Sequence, residues 1–284
     1  MVLGAADREL VRWALAEDLA GFGDVTSLWT VPADQHARAV ITARMPLVVC
    51  GLELAQAVLE EVDSGVVFTP LVEEGAEVED RDRLVLLEGA ARSILSAERT
   101  MLNFLSHLSG VATQARRFAR AVAGTGAFVV DTRKTTPGLR RWEKKAVALG
   151  GCLNHRFGLF DLVLIKNNHL VAAGGVRAAV ERVRAQGAGY LKVEVEVENE
   201  ADLREALACG VDIVMLDNQD LESLRRLVAL ARGLRPQITL EASGGVTLET
   251  VRAVAETGVD LISTSAITMG APPVDVGLTL LAAE

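Results

Sequence analysis

Short apolar runs recur along the second half of the chain, and each ends in or near a polar residue. Stretches with helical spacing of apolar positions separate them, and the last polar ends lie 21, 24 and 23 residues apart. This alternation is typical of βα units with parallel strands, and near-continuous apolar strands suit a sheet that is covered on both faces. The runs are AFVVDT, DLVLIK, YLKVEVEV, DIVMLD, ITLEAS and LISTSA, with polar ends at Asp131, Lys166, Glu196, Asp217, Glu241 and Thr264.

The pattern predicts an α/β fold whose second domain is an irregular, incomplete α/β barrel. An open doubly wound sheet also fits the alternation. The barrel is favoured because polar residues recur at the C-terminal ends of the strands, where barrels gather their active sites. Only six units are visible, so we expect the barrel to be incomplete.

The first part of the chain has a different pattern. Apolar positions at 5–19 have helical spacing, and a Gly-rich break, GFGDVTS, separates them from short β-like runs. We expect further helices at about 52–62 and 93–122, with Gly110 bending or breaking the second. These elements predict a small α+β domain.

We therefore divide the chain into two domains. The N-terminal α+β domain covers 1–110, and the α/β barrel covers 111–270. The tail at about 270–284 is expected to return to the first domain.

Composition excludes several classes of protein. Half of the 284 residues are hydrophobic and 24% are charged, a balance typical of globular proteins. No apolar run approaches the roughly 18 residues of a membrane helix, and the N-terminus lacks the pattern of a secretory signal. Aromatic residues make up 4%, which leaves few platforms for stacking nucleic-acid bases. We expect a cytoplasmic protein that binds neither membrane nor nucleic acid.

The net charge of −9 conceals a basic segment. The window from Asp131 to Lys166 carries +5, so the remainder carries −14. An acidic protein with one dense basic segment suits a small polyanion. A solvated helix face would explain the basic residues within 140–145. It does not explain the other four, which are Arg133, Lys134, Arg156 and Lys166.

The segment DTRKTTPG carries the first of these cations after a predicted strand. Arg133 can bind a carboxylate or phosphate through two parallel hydrogen bonds, while Lys134 adds a point charge and Thr132 a hydroxyl. His155, Arg156 and Lys166 follow in the next unit. Like charges repel unless an anion joins them, so their convergence indicates an anion site.

The later strand ends carry a second set of groups. Glu196 and Asp217 offer hard oxygen ligands that suit a divalent cation with a phosphate, or that could hold ribose hydroxyls. Small residues follow the last two strands, where barrels bind phosphate through backbone N–H groups. They are Ser243, Gly244, Gly245, Thr264, Ser265 and Ala266.

The chain resembles the quinolinate phosphoribosyltransferase family over nearly its whole length. The resemblance lies in LAEDLAGFGDVTS, AERTMLNFLSHLSGVAT, DTRKTTPGLR, NHRFGL, LIKNNH, VEVEVEN, VMLDN, EASGGVT and ISTSA. It implies an enzyme that makes nicotinate mononucleotide from quinolinate and phosphoribosyl pyrophosphate, releasing carbon dioxide and pyrophosphate. It also implies an N-terminal α/β domain, an irregular α/β barrel, and a homodimer or a hexamer built as a trimer of dimers.

The resemblance also implies roles for individual residues. The quinolinate set is Thr132, Arg133, His155, Arg156 and Lys166, joined by Arg99 from the neighbouring subunit. The set for phosphoribosyl pyrophosphate and its Mg²⁺ is Lys134, Glu196 and Asp217. The set for the 5′-phosphate is Ser243, Gly244, Gly245, Thr264, Ser265 and Ala266. Catalysis would fall to Lys134, Lys166, Glu196 and Asp217, with Glu196 and Asp217 as the metal-binding pair.

Two positions depart from the family pattern. Cys152 stands where a third glycine is expected, and Asn167 stands where an acidic residue is expected. Three other functions stay open: a molybdate-associated paralogue with a different substrate, a Schiff-base aldolase that uses Lys166, and a non-catalytic phosphate-binding barrel. Intact Thr132, Asn154, His155 and Arg156 argue against the paralogue.

Overall fold

The computed structural model describes residues 3–187 and 189–282, and they form two compact units. The first unit contains residues 3–114, 137–150 and 271–282, and the second contains 115–136 and 151–270. The last two residues of the predicted tail, 283 and 284, lie outside the described residues. Within the described ranges, no helix combines the length and apolar character that crossing a membrane requires.

Strands and helices are numbered separately, each in chain order. The strands are β1 (His36–Ala43), β2 (Leu47–Val48), β3 (Val67–Pro70), β4 (Glu77–Val78), β5 (Arg83–Ala90), β6 (Phe128–Val130), β7 (Val163–Ile165), β8 (Val193–Val197), β9 (Ile213–Asp217), β10 (Thr239–Ser243), β11 (Leu261–Ser263) and β12 (Val276–Leu280). The helices are α1 (Ala5–Leu19), α2 (Val25–Thr30), α3 (Leu52–Val62), α4 (Ala91–Ala121), α5 (Arg140–Leu149), α6 (Asn167–Ala173), α7 (Val176–Ala185), α8 (Glu200–Ala208), α9 (Leu221–Leu234) and α10 (Val251–Ala255).

The first unit is built on an antiparallel sheet with strand order β12-β1-β5-β3, beside a two-stranded sheet of β2 and β4. Strand β12 pairs with β1 over five residues, from Ala39 opposite Leu280 to Ala43 opposite Val276. The chain after residue 270 therefore supplies an edge strand to the same sheet as the first strand. Helix α3 buries Leu54, with the rest of its apolar face, in this unit.

The second unit contains a parallel sheet of the order β6-β11-β10-β9-β8-β7. All six predicted runs form these strands, and chain neighbours from β7 to β11 are also neighbours in the sheet. Strand β6 then pairs with β11, so the strands follow the order of a barrel that is open between β6 and β7. A single bridge, from Val130 to Leu153, joins β6 to the loop before β7. The predicted irregular α/β barrel with an N-terminal α+β domain is confirmed.

The long helix α4 differs from its prediction. It continues through Gly110, which was expected to bend or break it. A Cβ atom at Gly110 would run into the carbonyl oxygen of Pro272, and it would lie 3.1 Å from the Cα of Pro273. The glycine therefore lets the returning tail pack closely against the helix, and the helix itself stays continuous.

Helix α5 corrects one expectation about the basic segment. The helix lies within the predicted second domain, 111–270, and its residues group with the first compact unit. Lys144 is buried, and the Lys145 ammonium donates to Glu53 at 2.8 Å and lies 3.4 Å from Glu74. A solvated basic face is therefore wrong for these two lysines, because carboxylates of the first unit compensate the charge of Lys145.

Candidate active site

The C-terminal ends of the barrel strands surround a cavity of about 300 Å³. Its lining includes seven of the predicted site residues: Thr132, Arg133 and Lys134 after β6, His155 and Arg156 before β7, Lys166 after β7, and Ser243 at the end of β10. Asp131, Leu164, Met215, Glu241 and Ser263 complete the lining. The predicted convergence of cations from separate loops is therefore present.

Side-chain and backbone acceptors hold the loop that carries His155 and Arg156. Asp131 is fully buried at the end of β6, and its Oδ1 accepts the backbone N–H of His155 at 2.8 Å. The Arg156 guanidinium donates to the carbonyl oxygen of Leu162 at 3.2 Å. The Asp161 carboxylate accepts the backbone N–H of Phe157 at 2.6 Å. These bonds fix the loop, so the two cationic side chains face the cavity from a defined backbone.

Arg133 and Arg156 line the same cavity, and the positive charge of Arg133 acts on Arg156. The pKa of Arg156 is lowered, mainly by burial and to a smaller extent by the positive charge of Arg133. A like charge in a partly desolvated place disfavours the charged form, and an anion between the two groups would reverse that effect. The cavity is therefore electrostatically prepared for a carboxylate or phosphate.

Lys166 connects the cations to a carboxylate pair. Its ammonium group donates to Glu196 at the end of β8. Burial and the charge of Glu196 raise the pKa of Asp217 at the end of β9, against the opposing effect of Lys166. Two crowded carboxylates on neighbouring strands offer hard oxygen donors, which fit a magnesium ion. Asn167, one of the two departures from the family pattern, donates a hydrogen bond from its side-chain amide to Glu198.

A second cavity of about 250 Å³ lies at the loops after β10 and β11. It is lined by all six residues of the predicted 5′-phosphate set, and it shares Thr132, Lys134, Ser243 and Ser263 with the first cavity. Thr264 is buried, and its hydroxyl donates to the carbonyl oxygen of Val246 at 2.9 Å while it accepts the N–H of Ala266 at 3.1 Å. Its side chain therefore ties the two loops together, which leaves ligand contacts to the neighbouring backbone.

The imidazole of His155 contacts two carboxylates. Its Nε2 lies 3.1 Å from Glu194 Oε2 and 3.3 Å from Glu241 Oε2, and both carboxylates are fully buried. Burial alone would lower the pKa of His155, but hydrogen bonding to Glu194 and Glu241 raises it to about 10. The imidazole and the two carboxylates therefore form one cluster of ionisable groups at the first cavity.

The sequence-based site and the observed geometry differ in three respects. Arg99 lies on α4 in the first unit, so its role stays a prediction. Glu241 and Ser263 line the first cavity, although neither was assigned a role. The signal for Glu194 was available in the alternation of VEVEV, which places Glu194 and Glu196 on one face of β8.

Comparisons with known proteins identify chains that are similar over nearly the whole length. Residues 24–109 match the family model for the N-terminal domain of quinolinate phosphoribosyl transferase, and residues 111–279 match that for its C-terminal domain. The nicotinate-nucleotide pyrophosphorylase [carboxylating] of Mycobacterium leprae is 41% identical over 277 residues, which cover 97% of each chain. A probable enzyme of the same name from Synechocystis is 40% identical, over 97% of this chain and 92% of that one. The solved nicotinate-nucleotide pyrophosphorylase of Francisella tularensis superposes with a TM-score of 0.93 at 39% identity, and the match covers 99% of this chain and 98% of that one.

Proposed function

Because this chain belongs to the quinolinate phosphoribosyltransferase family, we propose that it transfers the phosphoribosyl group of phosphoribosyl pyrophosphate to quinolinate. The products are nicotinate mononucleotide, carbon dioxide and pyrophosphate, and the reaction serves NAD biosynthesis. One observation carries the proposal above all: a cavity lined by cations adjoins a glycine-containing cavity, and the two share four lining residues. A dianionic ring and a sugar phosphate can therefore bind side by side.

The cationic cavity would bind the two carboxylates of quinolinate. Arg133 and Arg156 offer planar donor groups that suit bidentate contact with a carboxylate, and His155 and Thr132 line the same space. Bringing a diacid next to a polyanion is opposed by charge repulsion, which these cations offset. Holding the ring nitrogen towards the sugar carbon accelerates the reaction, because the two anionic substrates no longer have to find this orientation by chance.

The second cavity would hold the 5′-phosphate through backbone N–H groups of the Ser243–Gly245 and Thr264–Ala266 loops. Lys134 lines both cavities, so its ammonium group can stabilise the pyrophosphate as the bond to the sugar breaks. Glu196 or Asp217 would stabilise positive charge that develops on the sugar. Once the ring nitrogen is alkylated, the cationic ring stabilises the electron pair that the departing carbon dioxide leaves behind, and a proton from water then forms the new C–H bond.

Magnesium fits the carboxylate pair described above. Glu196 and Asp217 would hold it together with oxygens of phosphoribosyl pyrophosphate, where it would supply charge neutralisation of the pyrophosphate. We propose magnesium as the cofactor, and removal of divalent cations by a chelator should abolish activity until Mg²⁺ is restored.

Release of carbon dioxide tests the function directly. The purified chain should release one carbon dioxide per nicotinate mononucleotide when quinolinate, phosphoribosyl pyrophosphate and Mg²⁺ are supplied together, and none when one substrate is omitted. Arg133→Ala serves as the matched inactive control. Clean protein that binds phosphoribosyl pyrophosphate without releasing carbon dioxide would indicate the paralogue or a non-catalytic barrel.

We also propose a cytoplasmic homodimer, or a hexamer of such dimers, in which Arg99 of one subunit completes the site of the other. Mixing inactive Arg99→Ala and Lys134→Ala chains should then restore about a quarter of wild-type activity, since half the dimers are hybrids with one intact site. Failure to restore activity after verified subunit exchange would contradict the shared site. Fractionation of cells checks the compartment.

A further inference from the structure

Two buried carboxylates converge on one imidazole ring from different strands. Glu194 belongs to β8, Glu241 belongs to β10, and His155 lies in the loop before β7. Their Oε2 atoms lie 3.1 and 3.3 Å from the same ring nitrogen, Nε2. Apart from His155, the described residues give neither carboxylate a hydrogen-bond partner. Glu241 also lines the cavity that contains Arg133 and Arg156.

Burying two carboxylates without compensation is costly, and a positive charge between them removes much of that cost. A bare carboxylate at the cavity wall would also repel an anionic substrate. A protonated imidazole beside Glu241 answers both problems, because it compensates the buried carboxylates and adds a positive charge to the cavity wall.

We propose that Glu241, supported by Glu194, is a positioning residue that keeps His155 oriented and cationic for contact with a carboxylate of the pyridine substrate. The inference rests on the proposed function, which supplies the anionic substrate. Glu241 acts through His155 and takes no part in bond making.

Other groups around His155 oppose its protonation. Arg133, Arg156 and Lys166 line the same cavity, and their charges disfavour another cation. The backbone N–H of Arg156 lies 2.8 Å from the second ring nitrogen, Nδ1, where it favours the neutral ring. Asp131 acts in the other direction, because it accepts the backbone N–H of His155 and adds a negative charge that favours the cation. The carboxylate pair must outweigh these effects, so removal of one carboxylate should tip the balance.

Nuclear magnetic resonance of isotope-labelled histidine measures this balance in the free protein. The chain has only four histidines, and His155→Gln identifies the resonance of His155. In the wild-type protein His155 should stay protonated beyond pH 8. In Glu241→Gln, which keeps the size of the side chain, the pKa of His155 should fall by about 1–3 units. The exposed carboxylate of Glu222 provides the control, and Glu222→Gln should leave the titration unchanged.

Kinetics provide the second measurement. In the wild-type enzyme His155 should stay protonated between pH 7 and 9, so its titration should change the KM for quinolinate little over this range. In Glu241→Gln this KM should rise about tenfold for each pH unit above the lowered pKa of His155, as the cationic fraction falls. The KM for phosphoribosyl pyrophosphate should stay at its wild-type value, because His155 does not line the second cavity. A general loss of folding would instead lower the apparent kcat, because less active enzyme is present, and would leave both KM values unchanged.

Three results would overturn the inference: wild-type His155 titrating at or below its ordinary value, a titration that Glu241→Gln does not move, or stoichiometric Zn²⁺ binding at His155 in place of the proton. The titration of His155 in the wild-type protein tests the inference even if Glu241→Gln fails to fold. A normal carbon dioxide assay with an unmoved titration refutes the role of Glu241 alone. A lowered pKa in Glu241→Gln without any quinolinate turnover by the wild type refutes the proposed function and leaves the Glu241–His155 link standing.

Discussion

Adjacent glycines in the loop after β10 form a matched pair for a steric test. Both have left-handed backbone angles, with φ of +103° at Gly244 and +60° at Gly245. A Cβ atom at Gly244 would run into the Asn218 side chain and lie 2.9 Å from its backbone nitrogen, whereas a Cβ at Gly245 would meet nothing within 4 Å. Gly245→Ala should therefore cost only the left-handed strain, about 1–2 kcal/mol. Gly244→Ala should cost about 1–3 kcal/mol more, because the contact with Asn218 must be relieved.

The contact matters for function because Asn218 holds its neighbour. Its side-chain amide donates to Asp217 at 2.6 Å, and its backbone N–H donates to the carbonyl oxygen of Ser243 at 2.9 Å. We expect Gly244→Ala to displace Asp217 and raise the KM for phosphoribosyl pyrophosphate about tenfold, equivalent to about 1.4 kcal/mol of binding. Urea unfolding of both variants in the same buffer measures the stability difference. Equal losses in the two variants would refute the steric reasoning.

Four further predictions concern other parts of the molecule. Ser263→Ala should raise the stability of the free protein by about 1–3 kcal/mol in thermal unfolding, because the buried hydroxyl has no hydrogen-bond partner within the described residues. Arg133→Ala should weaken transition-state binding by about 2–5 kcal/mol, and Arg133→Lys should recover only part of it in kcat/KM, since lysine cannot bridge two carboxylate oxygens. The pKa of His155 is raised to about 10, so protonated His155 stabilises the folded state fully below about pH 6.5, and this stabilisation is lost as the pH rises towards 10. The free energy of unfolding of His155→Gln, measured across this pH range, should lack this loss of stability. Gly110→Ala should destabilise the first unit by about 1–3 kcal/mol in urea unfolding, since the new methyl group meets the Pro272 carbonyl.

The strands of the barrel were predictable because each is a short apolar run with a polar end. Helix α2 was not, because its six residues are too few to show a helical period and it follows glycines. The signal that could have found it is local: Asp24 accepts the N–H of Ser27 at 3.0 Å and caps the helix. The prediction for Gly110 in α4 was wrong, because the sequence alone does not distinguish a glycine that allows close packing from one that interrupts a helix.

The candidate site was predictable as a set of residue types near strand ends, but its internal pairings were not. The sequence places Lys166 and Glu196 at the ends of consecutive units, and the parallel pairing of β7 with β8 brings them together. The convergence of Glu194 and Glu241 on His155 depends on side-chain distances across three separate segments. Nothing in the spacing of those residues distinguishes that arrangement from a salt bridge to Lys166.

The order of strands in the sheet, rather than their order in the chain, divides the site into two halves. Strand β6 pairs with β11 on one side and meets the loop before β7 through the Val130–Leu153 bridge on the other. The residues after β6 therefore reach both the cationic cavity and the phosphate cavity, and Thr132 and Lys134 line each of them. Since the new bond must form where the diacid meets the sugar, the opening of the barrel beside β6 is where substitutions should affect both substrates at once.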